Sequence, residues 1–328
     1  MQYGEVITRS LSLVWRFKYL WLLAILGGAD VGTGGFSGNF GNPGSFGRGA
    51  SSGGSAPLGD IGPQVTQFLQ DWGWLIVLAG LLVLVLSLLW FALSSVTIGA
   101  LVRASAEHDA ERPFGLGQAW RTGVGTFWSI VGLRLLALLW GVLVAAVIGL
   151  FVVLGFVSYL GGQGGALGAV IAIGGLVTLF LIVAAIVVNL AFTLATRAVV
   201  LEQLGAMAAL RRGFQLLRAR LGRVLLVWLI EIGLGLAAGL ALFVVLIPVI
   251  VVAAGLVGVA AYTGGPGAAV AVAVPVAVVA FVVLLVAAGL IGAYFSTYWT
   301  LAFRRLELEA PRPVAWPPPA YPPQQPAG

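Results

Sequence analysis

The run from Trp72 to Ile98 contains no charged residue, and it has company. Ala169–Thr196 and Ala268–Ala302 are equally uncharged, while Thr126–Val157 and Val224–Val252 carry one charge each, Arg134 and Glu231. Each run exceeds the roughly 20 residues that take a helix across a bilayer. The chain is 60% hydrophobic and 9% charged, where soluble domains carry about 25% charged residues. A chain this apolar cannot cover itself with polar surface, so lipid is its solvent for most of its length.

A further segment precedes these runs. Residues 3–28 begin as an amphipathic helix (Val6, Ile7, Leu11, Leu13, Val14) and become apolar from Tyr19, with Arg16 and Lys18 between the two parts. YLWLLAIL would also serve as the apolar region of a cleaved signal. The long basic region and the interfacial aromatics Trp15 and Trp21 favour a retained first membrane helix. Residues 28–64 are rich in Gly, Ser and Asn, a composition that reads as a flexible extracytoplasmic loop. The proline-rich end, 304–328, reads as a disordered tail on a membrane bundle spanning 1–303. Ser158–Gly168 and Ala261–Gly267 are uncharged turns.

Charge gives the orientation. With the N-terminus inside and the segments alternating, sixteen of the seventeen Lys/Arg residues fall on one side and only Arg48 on the other. Such a bias places the basic side in the cytoplasm, with both termini there. Sixteen arginines against one lysine, with abundant Ala, Gly, Val and Leu, suggest a GC-rich bacterial genome and hence a bacterial cell membrane.

Two connectors share a pattern. GQAWRTG at Gly117–Gly123 and AALRRGF at Ala208–Phe214 align ninety positions apart, each leading into an apolar run. A parallel internal repeat is one reading, and a chance match in low-complexity sequence is the other.

Polar groups inside apolar runs are the candidates for function. Glu231 lies about 12 Å beyond Arg223 along a helix, where a carboxylate is costly and needs a partner. Arg134 and Asn189 lie at similar depth on two other segments. Together they could form a site for a headgroup, ion or proton, or an interhelical pair with amide support that fixes packing. Arg134 could also snorkel to the interface. The second candidate is the connector with Arg211, Arg212, Arg218, Arg220 and Arg223, whose apolar stripe (Leu204, Met207, Phe214, Leu217, Leu221) is suited to lying on anionic lipid. The Gly235-x-x-x-Gly239 spacing would permit close helix approach.

Several classes of chemistry are excluded or poorly supported. There is no cysteine, and the single lysine, Lys18, follows no glycine-rich loop, which excludes thiol chemistry and a P-loop. The only histidine, His108, sits in EHDAE, where adjacent residues cannot converge on one metal; it reads as part of a solvated loop. No basic module interleaved with aromatics points to nucleic acid. No cofactor is expected.

Ala198–Ile230, with Glu202 and Gly205 ahead of the Ala-Leu-Arg-Arg connector, resembles the recurring element of the membrane domain attached to some bacterial glycerophosphoryl diester phosphodiesterases, and of related uncharacterised multi-pass proteins. WRFKYLWLLAILGG and YFSTYWTLAFRRLE are similar to the same group. The resemblance implies a membrane module without the catalytic barrel, and it transfers no catalytic residue.

The expectation is therefore an all-α polytopic membrane bundle of about six helices with amphipathic cytoplasmic connectors. Its expected role is a non-enzymatic scaffold or regulatory module, in contact with lipid and with a protein partner. The alternative is a transporter or lipid-handling protein using Arg134, Asn189 and Glu231.

Overall fold

A computed structural model describes residues 3–27, 61–162 and 164–308. Every regular element among them is a helix: α1 (Tyr3–Arg16), α2 (Tyr19–Gly27), α3 (Ile61–Asp109), α4 (Leu116–Leu160), α5 (Gly164–Leu201), α6 (Ala206–Ala219) and α7 (Leu221–Leu308). Nearly all of the Gly/Ser-rich loop and the last twenty residues of the proline-rich tail lie outside the described residues. At the margins, Ile61 already belongs to α3, and Arg304 and Arg305, grouped with the tail by sequence, belong to α7.

α7 has 88 residues. At about 1.5 Å per residue it would be some four bilayers long if straight. It is broken at Gly265, where φ 73° and ψ −169° lie outside the helical region, a conformation that only glycine adopts without strain. Pro266 follows, within the uncharged turn expected at Ala261–Gly267. The two arms return alongside each other, because Tyr298 Oη donates to the Val227 carbonyl at 3.1 Å.

Four helices (α3, α4, α5 and α7) are long and apolar enough to cross a membrane, or five if α1 and α2 together form one span. The two arms of α7 count once here, whereas the expectation of about six treats them as separate segments. The first segment also differs from expectation: α1 and α2 meet at 100°. α2 has only nine residues, about 13 Å of helix, less than half of a bilayer core.

Burial is distributed as lipid would require. The most apolar window of each long helix has no buried residue in α3, α4 and α7, and only 6% of it is buried in α5. The buried residues gather instead at the charge-bearing ends, on 94–108 of α3, 190–200 of α5 and 293–306 of α7. We call this end the base. There the stretch 103–125, between the apolar runs Trp72–Ile98 and Thr126–Val157, is mostly helical: α3 runs on to Asp109 and α4 starts at Leu116.

The repeat is visible in the base. α4 and α6 begin ninety positions apart, each after an extended glycine cap, Gly115 and Gly205. α1 conforms to the same pattern. Val6, Ala119 and Ala209 are buried at one level, Ser10, Gly123 and Gly213 at the next, and Leu13, Thr126 and Leu216 at the third. Each of these amphipathic stretches packs on the returning apolar helix that precedes it. α4 packs on α3, α6 on α5, and α1 closes the ring on α7.

The glycines set two of these seats. A methyl on Gly123 would meet the Val96 carbonyl, and one on Gly213 would lie 2.5 Å from the Ala191 carbonyl. Small residues allow this approach where apolar surface alone supplies little driving force between helices. Gly235 is not such a seat, since a methyl there would have ordinary contact, 3.8 Å, with Phe295.

Candidate functional site

The three residues expected to share a polar site lie on three helices. Arg134 of α4 is held by α3: its Nη1 donates to Ser94 Oγ at 2.6 Å, Ser95 Oγ at 3.0 Å and the Phe91 carbonyl at 3.4 Å. Its guanidinium lies 5.2 Å from the Phe91 ring centroid. Asn189 is half-buried on α5, and its carbonyl accepts from Thr193 Oγ1. Glu231 is buried on the first arm of α7, 8% exposed, within electrostatic reach of Tyr298 on the second arm. α4 packs chiefly on α3, α5 and α6, and α7 on α2, α1 and α3.

Sequence reasoning missed Arg197, which it read as a marker of topology. Its side chain is fully buried, and Nη1 donates to the Thr193 carbonyl at 3.0 Å. The signal was present: ATRAVVL continues apolar past the arginine, so Arg197 lies within its helix rather than at the end of it.

The basic connector forms the predicted amphipathic helix, α6, but its packing differs from the expected stripe. Ala209, Gly213, Leu216 and Leu217 are buried against the base, whereas Met207 and Leu221 are exposed. Arg211, Arg218 and Arg223 are exposed, and Arg212 and Arg220 are half-buried. Arg212 bridges Glu202, at 3.2 Å, and Glu307, at 3.3 Å. Burial disfavours its charged form. The hydrogen bond and charge of Glu202, joined by Glu307, outweigh that and hold its pKa above the ordinary value. Arg212 therefore ties the ends of α5 and α7 together in addition to marking a surface.

The solvated loop expected around His108 is a correction of the same kind. His108 is 6% exposed, stacked on Phe17 with centroids 3.7 Å apart, and hydrogen-bonded to Tyr19 Oη. Its acidic neighbours are clamps. Asp109 accepts from Arg9 at 2.7 Å and Arg304 at 2.6 Å. Glu107 pairs with Arg103 at 2.7 Å and Arg112 at 3.5 Å, and Glu111 with Arg9 at 3.3 Å. The partners of Glu107 are local, whereas those of Asp109 and Glu111 come from α1 and α7, far away in sequence. At the outer ring of the base, Arg305 bonds Glu5 at 3.0 Å, and that hydrogen bond and charge lower the pKa of the Glu5 carboxyl.

Among the described residues, the base carries clefts at two of its junctions. One, of about 730 Å³, lies where α1 bends into α2 against the α3–α4 connection, with Arg9, Arg16, Phe17, His108, Arg112 and Phe114 among its walls. The other, of about 660 Å³, lies where α6 gives way to α7, lined by Tyr3, Arg220, Arg223 and Leu226. Among the described residues, no group of three or more His, Asp or Glu side chains is placed to hold a metal ion.

The ring of helices and its base coincide with a recognised sequence family, whose profile matches residues 8–303. The chain belongs to the DUF7544 family, a family of unknown function. The match takes in every apolar arm and most of the base, leaving out residues 3–7 of α1 and 304–308 of α7, and it supports the uncharacterised side of the resemblance without a link to the phosphodiesterases. No curated protein and no solved structure matches the chain. As a DUF7544 member, the protein must be read from its own geometry.

Proposed function

We propose that this DUF7544 protein is a non-enzymatic module of the bacterial cell membrane. Its apolar arms cross the bilayer and its base stands in the cytoplasm as the working surface. On this reading α7 crosses twice, each arm being one span, and the α1–α2 pair contributes the sixth, with its amphipathic half turned along the interface. One observation carries the proposal: the apolar windows are exposed while the charged ends pack together and pair with one another. Membrane helices normally hide ionisable groups from lipid, and here the charges are gathered at one end. The surplus of arginine there accords with the positive-inside rule.

A photo-crosslinking amino acid at exposed Arg211 or Arg218 of the base, compared with one at exposed Leu78 of α3, tests the scaffold role in cells. The proposal expects a discrete protein adduct from the base and lipid adducts alone from Leu78. Protein adducts from Leu78 alone would contradict it.

The second reading, a transporter or lipid-handling protein, rests on the burial of Glu231. It requires that Arg134, Asn189 and Glu231 act on one solute. Proton or solute flux in proteoliposomes that is lost in Glu231→Gln, with the fold retained, would favour it. Equal flux in both proteins would remove it.

A further inference from the structure

The cleft at the α1–α2 bend has the make-up of an anion site. Its walls bring together Arg9 and Arg16 from α1, His108 from α3 and Arg112 from the connection that follows. Of the cleft's lining residues, Arg9, Arg16 and Arg112 carry guanidinium groups and Glu111 alone a carboxylate, so positive charge is in excess in its walls. The ion pairs fix Arg9 and Arg112 in place. Arg16 is in no ion pair among the described residues; it is exposed, with its guanidinium 5.6 Å from the Phe17 ring centroid. A positioned, unneutralised guanidinium beside two held ones is the arrangement that recognises a phosphate oxygen by charge-assisted hydrogen bonds.

The remaining walls are Ser12, the Glu111 carboxylate paired with Arg9, and the apolar Leu13, Phe17, Pro113 and Phe114. Beside the cleft, Leu11 and Trp15 of α1 are exposed, and Trp15 contacts Trp21 with ring centroids 5.8 Å apart. Tryptophan at a helix bend between an apolar arm and a charged base is where headgroups meet acyl chains. The site therefore has a basic end for a phosphate and an apolar edge continuous with exposed apolar helix.

The geometry recurs. The second cleft occupies the matching junction of another repeat, where α6 ends and α7 begins, and Tyr3 at the start of α1 closes it as Phe114, just ahead of α4, closes the first. It too is lined by arginines, Arg220 and Arg223. Two junctions of one ring share a basic lining although their residues differ in identity.

We infer that the cleft between the α1–α2 bend and the α3–α4 connection binds the phosphodiester headgroup of an anionic membrane lipid, through Arg16 and Arg112. This deepens the proposed function and rests on its placement of the base at the membrane interface. Binding in detergent is independent of which way the protein faces, so failure here and failure of the proposed orientation are separate outcomes.

The test uses the full chain purified in a neutral detergent and titrated with dioctanoyl phosphatidylglycerol, with bound lipid counted by native mass spectrometry. Dioctanoyl phosphatidylcholine and free glycerol 3-phosphate serve as comparisons. Arg16→Gln and Arg112→Gln should each weaken phosphatidylglycerol binding about tenfold, the scale of one charge-assisted hydrogen bond. Arg121→Gln, exposed on α4 and outside the walls of the cleft, should leave it unchanged. Arg16 has no ion pair to lose, so Arg16→Gln should melt with the wild type, which keeps the test valid if Arg112→Gln is unstable. Phosphatidylcholine binding equal to phosphatidylglycerol, full affinity in Arg16→Gln, or competition by glycerol 3-phosphate at similar concentration would each overturn the inference. The last of these would identify a site for soluble phosphate esters instead.

Discussion

Tyr298 Oη and the Val227 carbonyl, 71 positions apart within a single helical element, are joined by a hydrogen bond of 3.1 Å. That contact makes α7 a hairpin, and it seals the hairpin at the base, where both residues are buried. Tyr298→Phe keeps the ring and removes the donor, leaving a buried carbonyl with one partner fewer. The expected loss is about 1 kcal/mol, read as a lowered midpoint of thermal unfolding in detergent, with helical content unchanged at low temperature.

Asp109 joins the first and last helices of the ring through Arg9 and Arg304. Its side chain is 11% exposed, whereas the two arginines are about a third exposed. Asp109→Asn removes the charge and leaves both guanidinium groups facing each other. Solvent reaches the arginines, so the cost should fall below that of a fully buried pair, at about 2 kcal/mol. Arg211→Gln, exposed on α6, should change stability by less than about 0.5 kcal/mol. Equal melting of the two variants would show that the clamp does not hold the ring.

Gly213 seats α6 on the Ala191 carbonyl. Gly213→Ala places a carbon 2.5 Å from that oxygen, so the helices must separate, at a cost of about 1–3 kcal/mol. Gly235→Ala meets only Phe295 at 3.8 Å, and the gain in helix propensity should leave it neutral or slightly stabilised. Thermal unfolding of the two variants side by side checks the assignment. The reverse order would mean that the close approach lies at Gly235.

Much of this arrangement was legible in the sequence, and the failures have a common cause. The apolar runs gave the long helices, and the turn at Ala261–Gly267 gave the break at Gly265, because both depend on local composition. GQAWRTG and AALRRGF gave the repeat, although α1 lacks the glycine and has Ser10 in its place, which hid the third copy. His108, Arg197 and Arg212 were misread because their surroundings come from helices remote in sequence. A polar residue near a connector looks solvated until the elements that cover it are known. Arg134 was placed correctly inside its helix, but nothing in the spacing pointed to Ser94 and Ser95 of α3 as its partners.

The central claim is that the apolar arms cross a membrane and leave the base on the cytoplasmic side. The chain has no cysteine, so single cysteines report cleanly. Ala110 and Gln203 at the base, and Gly162 and Thr263 at the tips of the arms, are exposed turn and end positions; Gly162 and Gln203 both have positive φ, but Gln203 already carries a side chain there, whereas for Gly162 the neighbour Gly161 is the better choice. Labelling with a membrane-impermeant maleimide should reach Gly161→Cys and Thr263→Cys in intact cells, and Ala110→Cys and Gln203→Cys only after permeabilisation. Labelling of all four in intact cells, or of the base alone, would contradict the account.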